Sequence, residues 1–229
     1  MTHLQNISTY ISRLTVSIAL LLSATATSAQ GKVFSEQKDT VPMFQGVALS
    51  FDLVGPAMLM LSDYGEYEGA VKVNLKNRYF PVVEIGYGKA EHDDEVTEIY
   101  YKTGAPYFRI GCDFNLLKNK KSANHLYAGF RYAFTSYKVD ISRDAFPDPV
   151  WGWDTAFSVS GESCSQQWLE GIFGLDAKVY GPLHLGWNIR YKMRLAHKDG
   201  SVGNTWYIPG YGKYGDSRIT ANFNVIIDI

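Results

Sequence analysis

The stretch that decides the fold is the final one, SRITANFNVIIDI at residues 217–229. Apolar residues occupy every second position from Ile219 to Ile229, and the positions between them are polar except at Ile226. A period of two residues predicts a β-strand with one apolar and one polar face. A chain that finishes on such a strand is typical of a transmembrane β-barrel, in which the last strand closes the sheet against the first.

Seven earlier stretches show the same alternation, and the connections between the strands are alternately long and short. The eight predicted strands cover residues 47–54, 66–75, 79–88, 106–116, 126–137, 168–179, 183–194 and 217–229. Tight turns at one end and long links at the other are typical of an outer-membrane barrel, with the turns and both termini in the periplasm. The predicted fold is therefore all-β: an eight-stranded antiparallel transmembrane β-barrel that covers residues 45–229.

The charged residues of these strands all lie on the polar face, but alternation alone does not show which face points inward. A soluble calycin-like barrel would turn the apolar face to the interior. We favour an apolar face that contacts lipid, because glycines such as Gly86 and Gly111 sit among the charges, where a narrow interior needs small residues. Aromatic residues also stand near the strand ends on the apolar face, as in interfacial girdles: Tyr67, Tyr79, Tyr87, Phe134 and Tyr191.

The beginning of the chain predicts export. Arg13 precedes an apolar run that is too short to span a bilayer as a helix, and small residues follow, so we interpret residues 1–29 as a signal peptide rather than an uncleaved anchor. No Cys follows the run, which excludes a lipoprotein anchor. Residues 30–44 are predicted to be a flexible periplasmic lead-in. The formal net charge of −1 gives no argument for a nucleic-acid partner.

Acidic and basic side chains are both predicted to point into the lumen. The network expected to pin them together is formed by Glu68, Glu84, Glu170, Asp176, Arg190, Lys192 and Arg194. Further inward charges include Lys72, Arg109, Asp113 and Arg131. Because eight strands leave an interior just wide enough for side chains, we favour a salt-bridged, closed lumen over an ion pathway or proton relay.

Four stretches carry a resemblance to a known family: APYFRIGCDFNLLK at 105–118, GPLHLGW at 181–187, GNTWYIPGYGK at 203–213 and FNVIIDI at 223–229. They resemble a family of uncharacterised outer-membrane β-barrel proteins of Bacteroidetes-type bacteria. The resemblance implies the barrel and its location, and it supplies no catalytic residues to transfer.

Function is less readable than architecture. The leading hypothesis is a non-enzymatic barrel with a structural role or a binding role at its outer loops, where Trp151, Trp153, Trp206, Tyr207 and Tyr211 form a candidate surface for an extracellular ligand or glycan. The expected partners are outer-membrane lipid and, through the C-terminal strand, the barrel-assembly machinery.

The alternatives are a lipid A deacylase or acyltransferase and a narrow pore. An enzyme would need a nucleophile and a base at the outer lipid interface, for which His197 and Ser201, with Asp199 between them, are the candidates. His92 beside three acidic residues could ligate a cation, but we interpret that segment as a solvated acidic loop. We expect no metal and no cofactor.

Overall fold

Eight long antiparallel strands close into a ring in the structure, which is a computed structural model. It describes residues 42–95, 97–119, 122–147, 154–201, 203 and 205–229. The predicted signal peptide and most of the lead-in lie outside these residues. The ring runs in chain order, and β1 pairs with the last strand, which closes the sheet into a barrel. Its strands are β1 Phe44–Asp52, β2 Tyr64–Leu75, β3 Tyr79–Asp94, β4 Ile99–Asn115, β5 His125–Pro147, β6 Asp154–Tyr180, β7 Leu183–Lys198 and β10 Ser217–Asp228.

Three smaller elements lie in the connections. A helix, α1 (Val54–Leu61), joins β1 to β2, and two two-residue strands, β8 (Tyr207–Ile208) and β9 (Gly212–Lys213), pair with each other before β10. The sequence pattern predicts only connections between strands at these segments. Among the described residues, no helix has the length and apolar character needed to cross a bilayer.

The outer wall of the barrel is apolar. In β3, the outward side chains of Val83 and Ile85 are each 55% exposed, whereas the inward Val82 and Glu84 are 2% exposed. The other wall strands alternate in the same way, with exposed Ile110, Phe130 and Phe173 facing outward in β4, β5 and β6. An outer face of this kind suits lipid and not water, which confirms the transmembrane barrel and rules out the calycin-like alternative.

The strands are longer than the alternation predicts. β5 has 23 residues and β6 has 27, whereas a tilted strand crosses a bilayer in about 9–11. Two segments predicted as loops, 89–105 and 138–163, are therefore mostly paired strand, and β3–β4 and β5–β6 continue as long hairpins. We call this end of the barrel the hairpin end and the opposite one the turn end.

The two faces exchange their polarity in these extensions. Beyond Tyr87 the outward positions become charged, as at Lys89 and Lys102, whose side chains are 53% and 48% exposed. The inward positions become apolar, so that Tyr101 and Val139 are only 4% and 1% exposed. As far as the aromatic girdle, the strands are apolar on the outward face and polar on the inward face, as in a membrane barrel. Beyond the girdle they are polar on the outward face and apolar on the inward face, as in a soluble protein. The exchange explains why one continuous pattern predicts β3, β4, β5 and β6 too short.

Candidate functional site

The centre of the lumen holds two arginines that share three glutamates. Arg109 of β4 contacts Glu68 and lies 2.9 Å from Glu170. Arg190 of β7 lies 2.9 Å from Glu68 and 3.5 Å from Glu170. Glu84 completes the group, 2.8 Å from Arg190 and 3.4 Å from Arg109. All five side chains are buried, so each charge is compensated by protein and not by water.

The network continues toward the turn end through a second set of pairs. Arg131 of β5 donates to both oxygens of Asp113, at 2.7 and 3.0 Å, and also to Glu84 at 2.9 Å. The Lys72 ammonium lies 3.3 Å from Asp113 and 3.2 Å from Asp176. Bidentate geometry between a guanidinium and a carboxylate fixes both groups. The charged side chains therefore form a layer, connected by ion pairs, that extends from β2 to β7. A cavity of about 20 Å³ remains beside it, roughly the room of one water.

Arg194 lies apart from this network. Its guanidinium contacts Asp216 and stacks 4.8 Å from the centre of the Tyr214 ring, with 22% of its side chain exposed. The expectation that the network's acids pin Lys192 and Arg194 is wrong. Among the described residues, Lys192 contacts the Gly210 and Tyr211 carbonyls and no carboxylate, and Arg194 lies two positions beyond Lys192 along β7. That spacing is about 6.6 Å in a strand, which carries Arg194 to the hairpin end.

The hairpin end of the lumen is filled by the chain itself. Residues 205–211, which we call the plug, turn inward between β7 and β10. Five plug side chains are essentially inaccessible: Thr205, Tyr207, Ile208, Pro209 and Tyr211. Three of them, Tyr207, Ile208 and Tyr211, form a hydrophobic cluster with apolar inward residues of the hairpin extensions. A segment that loop composition predicts to be exposed is thus the core of this half of the barrel.

Lumen side chains hold the plug by its backbone. The Gly210 carbonyl accepts hydrogen bonds from Arg109 and from Lys192, both at 2.7 Å. The Tyr101 hydroxyl donates to the Tyr207 carbonyl at 2.8 Å. Gly210 has φ +79°, and a Cβ there would lie 2.4 Å from the Tyr107 ring, so only glycine fits. The charge network and the plug are therefore one connected structure.

The described part of the candidate loop surface is largely internal. Tyr207 and Tyr211 are 2% and 0% exposed, so the prediction that they present an outer surface is wrong. Trp206 is half-buried, and its indole stacks on the His92 ring at 4.5 Å with 6° between the planes. Trp151 and Trp153 lie outside the described residues.

The candidate catalytic pair is not assembled. His197 Nε2 lies 2.6 Å from Asp199, and the ring packs edge-on against Tyr214. The Ser201 backbone N–H donates to Glu162 at 2.6 Å. Within the described part of the chain, no hydrogen bond joins the Ser201 hydroxyl to His197. A histidine held by a carboxylate lacks here the nucleophile contact that a triad requires.

The acidic segment near His92 is divided between two directions. His92 Nδ1 pairs with Asp63 at 2.7 Å, while Asp93, Asp94 and Glu95 line a groove of about 630 Å³. Among the described residues, no group of three His, Cys, Asp or Glu side chains is arranged to hold a metal ion.

Comparison with known proteins identifies the family. The family model described as "Domain of unknown function (DUF6048)" matches residues 10–228. The chain belongs to this family. No curated protein matches it. Among solved structures, the chain is similar to Ail, the attachment invasion locus protein of Yersinia pestis, crystallised with the heparin analogue sucrose octasulfate. The TM-score is 0.36 at 10% identity, over 80% of this chain and 93% of that chain.

Proposed function

We propose that this DUF6048 protein is an outer-membrane barrel with a closed lumen that acts, without catalysis, through the surface of its hairpin end. The plug is the observation that carries the proposal. It fills the lumen at the hairpin end and is fastened to the charge network below it. A lumen filled in two consecutive layers supports a structural or binding role over transport.

The proposal includes a location and an orientation. The apolar wall contacts outer-membrane lipid, the hairpins β3–β4 and β5–β6 face outside, and both termini lie in the periplasm. The charged outward positions beyond Tyr87 support this orientation, because the hairpins extend well past the apolar band. The C-terminal strand is the part that the assembly machinery would recognise. The Bacteroidetes-type source implied by the sequence resemblance belongs to the same proposal.

The binding partner is an extracellular ligand or glycan that contacts the hairpins. Their exposed surface is mixed in charge, since Lys89 and Lys102 surround Glu91 on one face, while the groove at residues 93–98 is acidic. Such a surface offers hydrogen-bonding groups of both kinds, which suits a polar partner more than an apolar one.

Planar-bilayer conductance tests the closed lumen. The wild-type chain is expected to show rare, small openings, because both the plug and the arginine–glutamate layer obstruct the path. A chain in which residues 206–211 are replaced by Gly and Ser keeps the layer and loses the hairpin-end seal, so its openings are expected to be more frequent. Steady, uniform channels of large conductance in the wild type would refute the closed lumen.

Lipid A profiling tests the absence of catalysis. Cells with and without the protein are compared by mass spectrometry, and we expect the same acyl chains in both. An acyl-chain difference that disappears in the His197→Ala variant would replace this proposal with a lipid-modifying enzyme. Asp199→Ala is the companion variant, since among the described residues Asp199 is the only carboxylate that pairs with the His197 ring.

A further inference from the structure

The barrel wall has a gap on one side of its hairpin half. Pairing between β1 and β10 stops at Asp52 opposite Asn224, and pairing between β1 and β2 stops at Phe51 opposite Gly69. Toward the hairpin end, β10 continues to Ser217 and β2 continues to Tyr64, with α1 in place of a strand between them. A helix satisfies its own backbone hydrogen bonds, so it cannot complete the sheet there.

The helix lies against β2 and not midway across the gap. A Cβ added to Gly55 would be 2.1 Å from the Glu66 carbonyl oxygen, and one added to Gly65 would be 2.6 Å from Leu59. These two glycines allow helix and strand backbones to approach closely. On the other side, Leu53 N–H donates to the Phe223 carbonyl at 2.8 Å, after which the facing edge of β10 has no strand partner.

A cavity of about 220 Å³ occupies this gap. It is lined by Met58 of α1 and by Tyr64 of β2, and it extends inward to Lys192 and the plug. Ala221, which faces outward on β10, also lines it, so the cavity reaches the outer wall. It is larger than the roughly 150 Å³ apolar cavity that holds a benzene-sized molecule.

The inner wall of the cavity carries polar groups with incomplete partners. The Lys192 ammonium contacts the carbonyls of Gly210 and Tyr211, at 2.7 and 3.4 Å, and no carboxylate of a described residue forms an ion pair with it. The Glu66 carboxylate comes no closer than 4.0 Å to a base, at Arg109. The Thr220 hydroxyl oxygen is buried, and among the described residues nothing hydrogen-bonds to it. Buried groups of this kind favour a ligand that supplies the missing hydrogen bonds.

The charge balance of the lumen favours a neutral head group. The described inward acids in and beside the network and the cavity are Asp52, Glu66, Glu68, Glu84, Asp113, Glu170 and Asp176, and the bases are Lys72, Arg109, Arg131, Arg190 and Lys192. Acids already exceed bases, so an anionic head would add to the excess. A head that accepts from Lys192 and donates to Glu66 fits both groups without adding charge.

The outer side of the cavity favours an apolar group such as a hydrocarbon chain. Ile219 beside the gap is 73% exposed, and Met60 and Leu61 of α1 are 87% and 83% exposed. Ile219 pairs with Tyr191 of the aromatic girdle, which places the cavity at the depth where lipid head groups give way to acyl chains. A molecule whose head enters the gap leaves its chain among these side chains and the bilayer.

We propose that the gap between α1 and β10 is a lateral binding site for a neutral single-chain amphiphile of the monoacylglycerol class. The hydroxyl-bearing head hydrogen-bonds to Lys192, Glu66 and Thr220, and the chain extends past Met58 and Ala221 into the membrane. The site rests on the proposed membrane location and is separate from the hairpin surface.

Photolabelling in lipid nanodiscs tests the site. The folded barrel is incubated with diazirine-bearing monoacylglycerol, fatty acid or phosphatidylcholine of equal chain length, irradiated and mapped by peptide mass spectrometry. Monoacylglycerol is expected to label α1 and residues 217–223 several-fold more than the other two probes do. Equal labelling by all three, or labelling spread evenly around the wall, would mean ordinary lipid contact and would overturn the proposal.

Four variants assign the contacts. Lys192→Met and Glu66→Gln are expected to remove the preference for monoacylglycerol, and Met58→Trp is expected to block the cavity without altering the lumen charges. Arg194→Gln is the matched control on the same strand, since Arg194 lies at the rim. Each variant is first checked for the gel shift of a folded barrel. If the fatty acid is preferred instead, the head assignment is wrong. If no probe labels Phe130 or Phe173 of the wall, the membrane location itself fails.

Discussion

At the scale of single residues, Arg190 forms ion pairs with several acidic side chains of the lumen. Its guanidinium serves Glu68, Glu84 and Glu170. Replacement by Met leaves these carboxylates buried with fewer partners, so Arg190→Met is expected to lower the free energy of unfolding by about 3–5 kcal/mol. The measurement is urea unfolding in detergent, followed by the gel shift.

Arg194→Met is the control for that substitution. It removes the same functional group from the same strand, but its pair with Asp216 is exposed to solvent at the rim, so the expected loss is less than about 1 kcal/mol. Equal losses from the two variants would show that the lumen network contributes no more than a surface pair.

Two carboxylates outside the membrane give the hairpins a dependence on pH. The Ser160 hydroxyl and the Gly161 N–H donate to Asp140 and hold its pKa below the ordinary value. The Tyr100 hydroxyl does the same for the pKa of Glu91. Because both folded pKa values lie below the unfolded ones, the stabilisation is complete above the unfolded values, about 4, and is lost as the pH falls through the folded values.

Hydrogen exchange measures this loss. After correction for the intrinsic exchange rate, protection of residues 91–95, 97–100, 140–147 and 154–161 is expected to fall below about pH 4, while β7 keeps its protection. Asp140→Asn should remove the pH dependence around the bulge at Gly161. A uniform loss of protection through the whole barrel would contradict a local origin.

At the scale of elements, α1 depends on two glycines for its place beside β2. Gly65→Leu puts side-chain atoms where Gly55 and Leu59 now lie, and overpacking of this kind costs about 1–3 kcal/mol. We expect faster amide exchange in α1 and an unchanged β7. Gly69→Ala is the control on the same strand, because its new Cβ would meet the Phe51 ring at an ordinary 3.6 Å. Equal effects of the two substitutions would mean that α1 is not held by this close approach.

The strands of the membrane region could be predicted from sequence, and the elements outside it could not. Period two located the beginning of β3 and β7 and the final strand, because lipid outside and charge inside make the alternation strong. The hairpin extensions were missed because Tyr101 and Val139 are apolar on the inward side, where the pattern below them is polar. Helix α1 was missed because Gly55 and Pro56 indicate a break, although Pro is tolerated in the first turn of a helix.

At the scale of the whole molecule, the plug determines which aromatic residues a protease can reach. Chymotrypsin added to intact cells is expected to cut between the ends of β5 and β6, at Trp151 or Trp153, and to leave Tyr207 and Tyr211 intact. The reason is that the latter are buried inside the barrel. Mass spectrometry of the fragments gives the result. Cleavage at residues 205–211 would refute the plug. In a parallel experiment with trypsin, cleavage confined to the lysines of residues 118–124 would reverse the orientation.

The direction of the lumen side chains can be predicted from the sequence, but their position along the barrel and the segment that packs on them cannot. The alternation along each strand indicates by itself that Glu84, Arg109 and Arg190 point inward, because each lies between two lipid-facing residues. The alternation does not show how far along the barrel axis a side chain lies, so it wrongly places Arg194 in the network. It also does not reveal that a distant segment fills the remaining space. Glycines and aromatics in residues 203–213 indicate a loop, and only the inward tyrosines of other strands show where that loop must pack.

The seam between the first and last strands has a consequence for how the barrel is completed. It extends only from Ala48 opposite Asp228 to Asp52 opposite Asn224, whereas β3 and β4 remain paired from Tyr79 to Asp94. The plug directly precedes β10 in the chain, so we expect it to be seated as β10 approaches β1. We also expect this short seam to close last during assembly and to open first under a mechanical load.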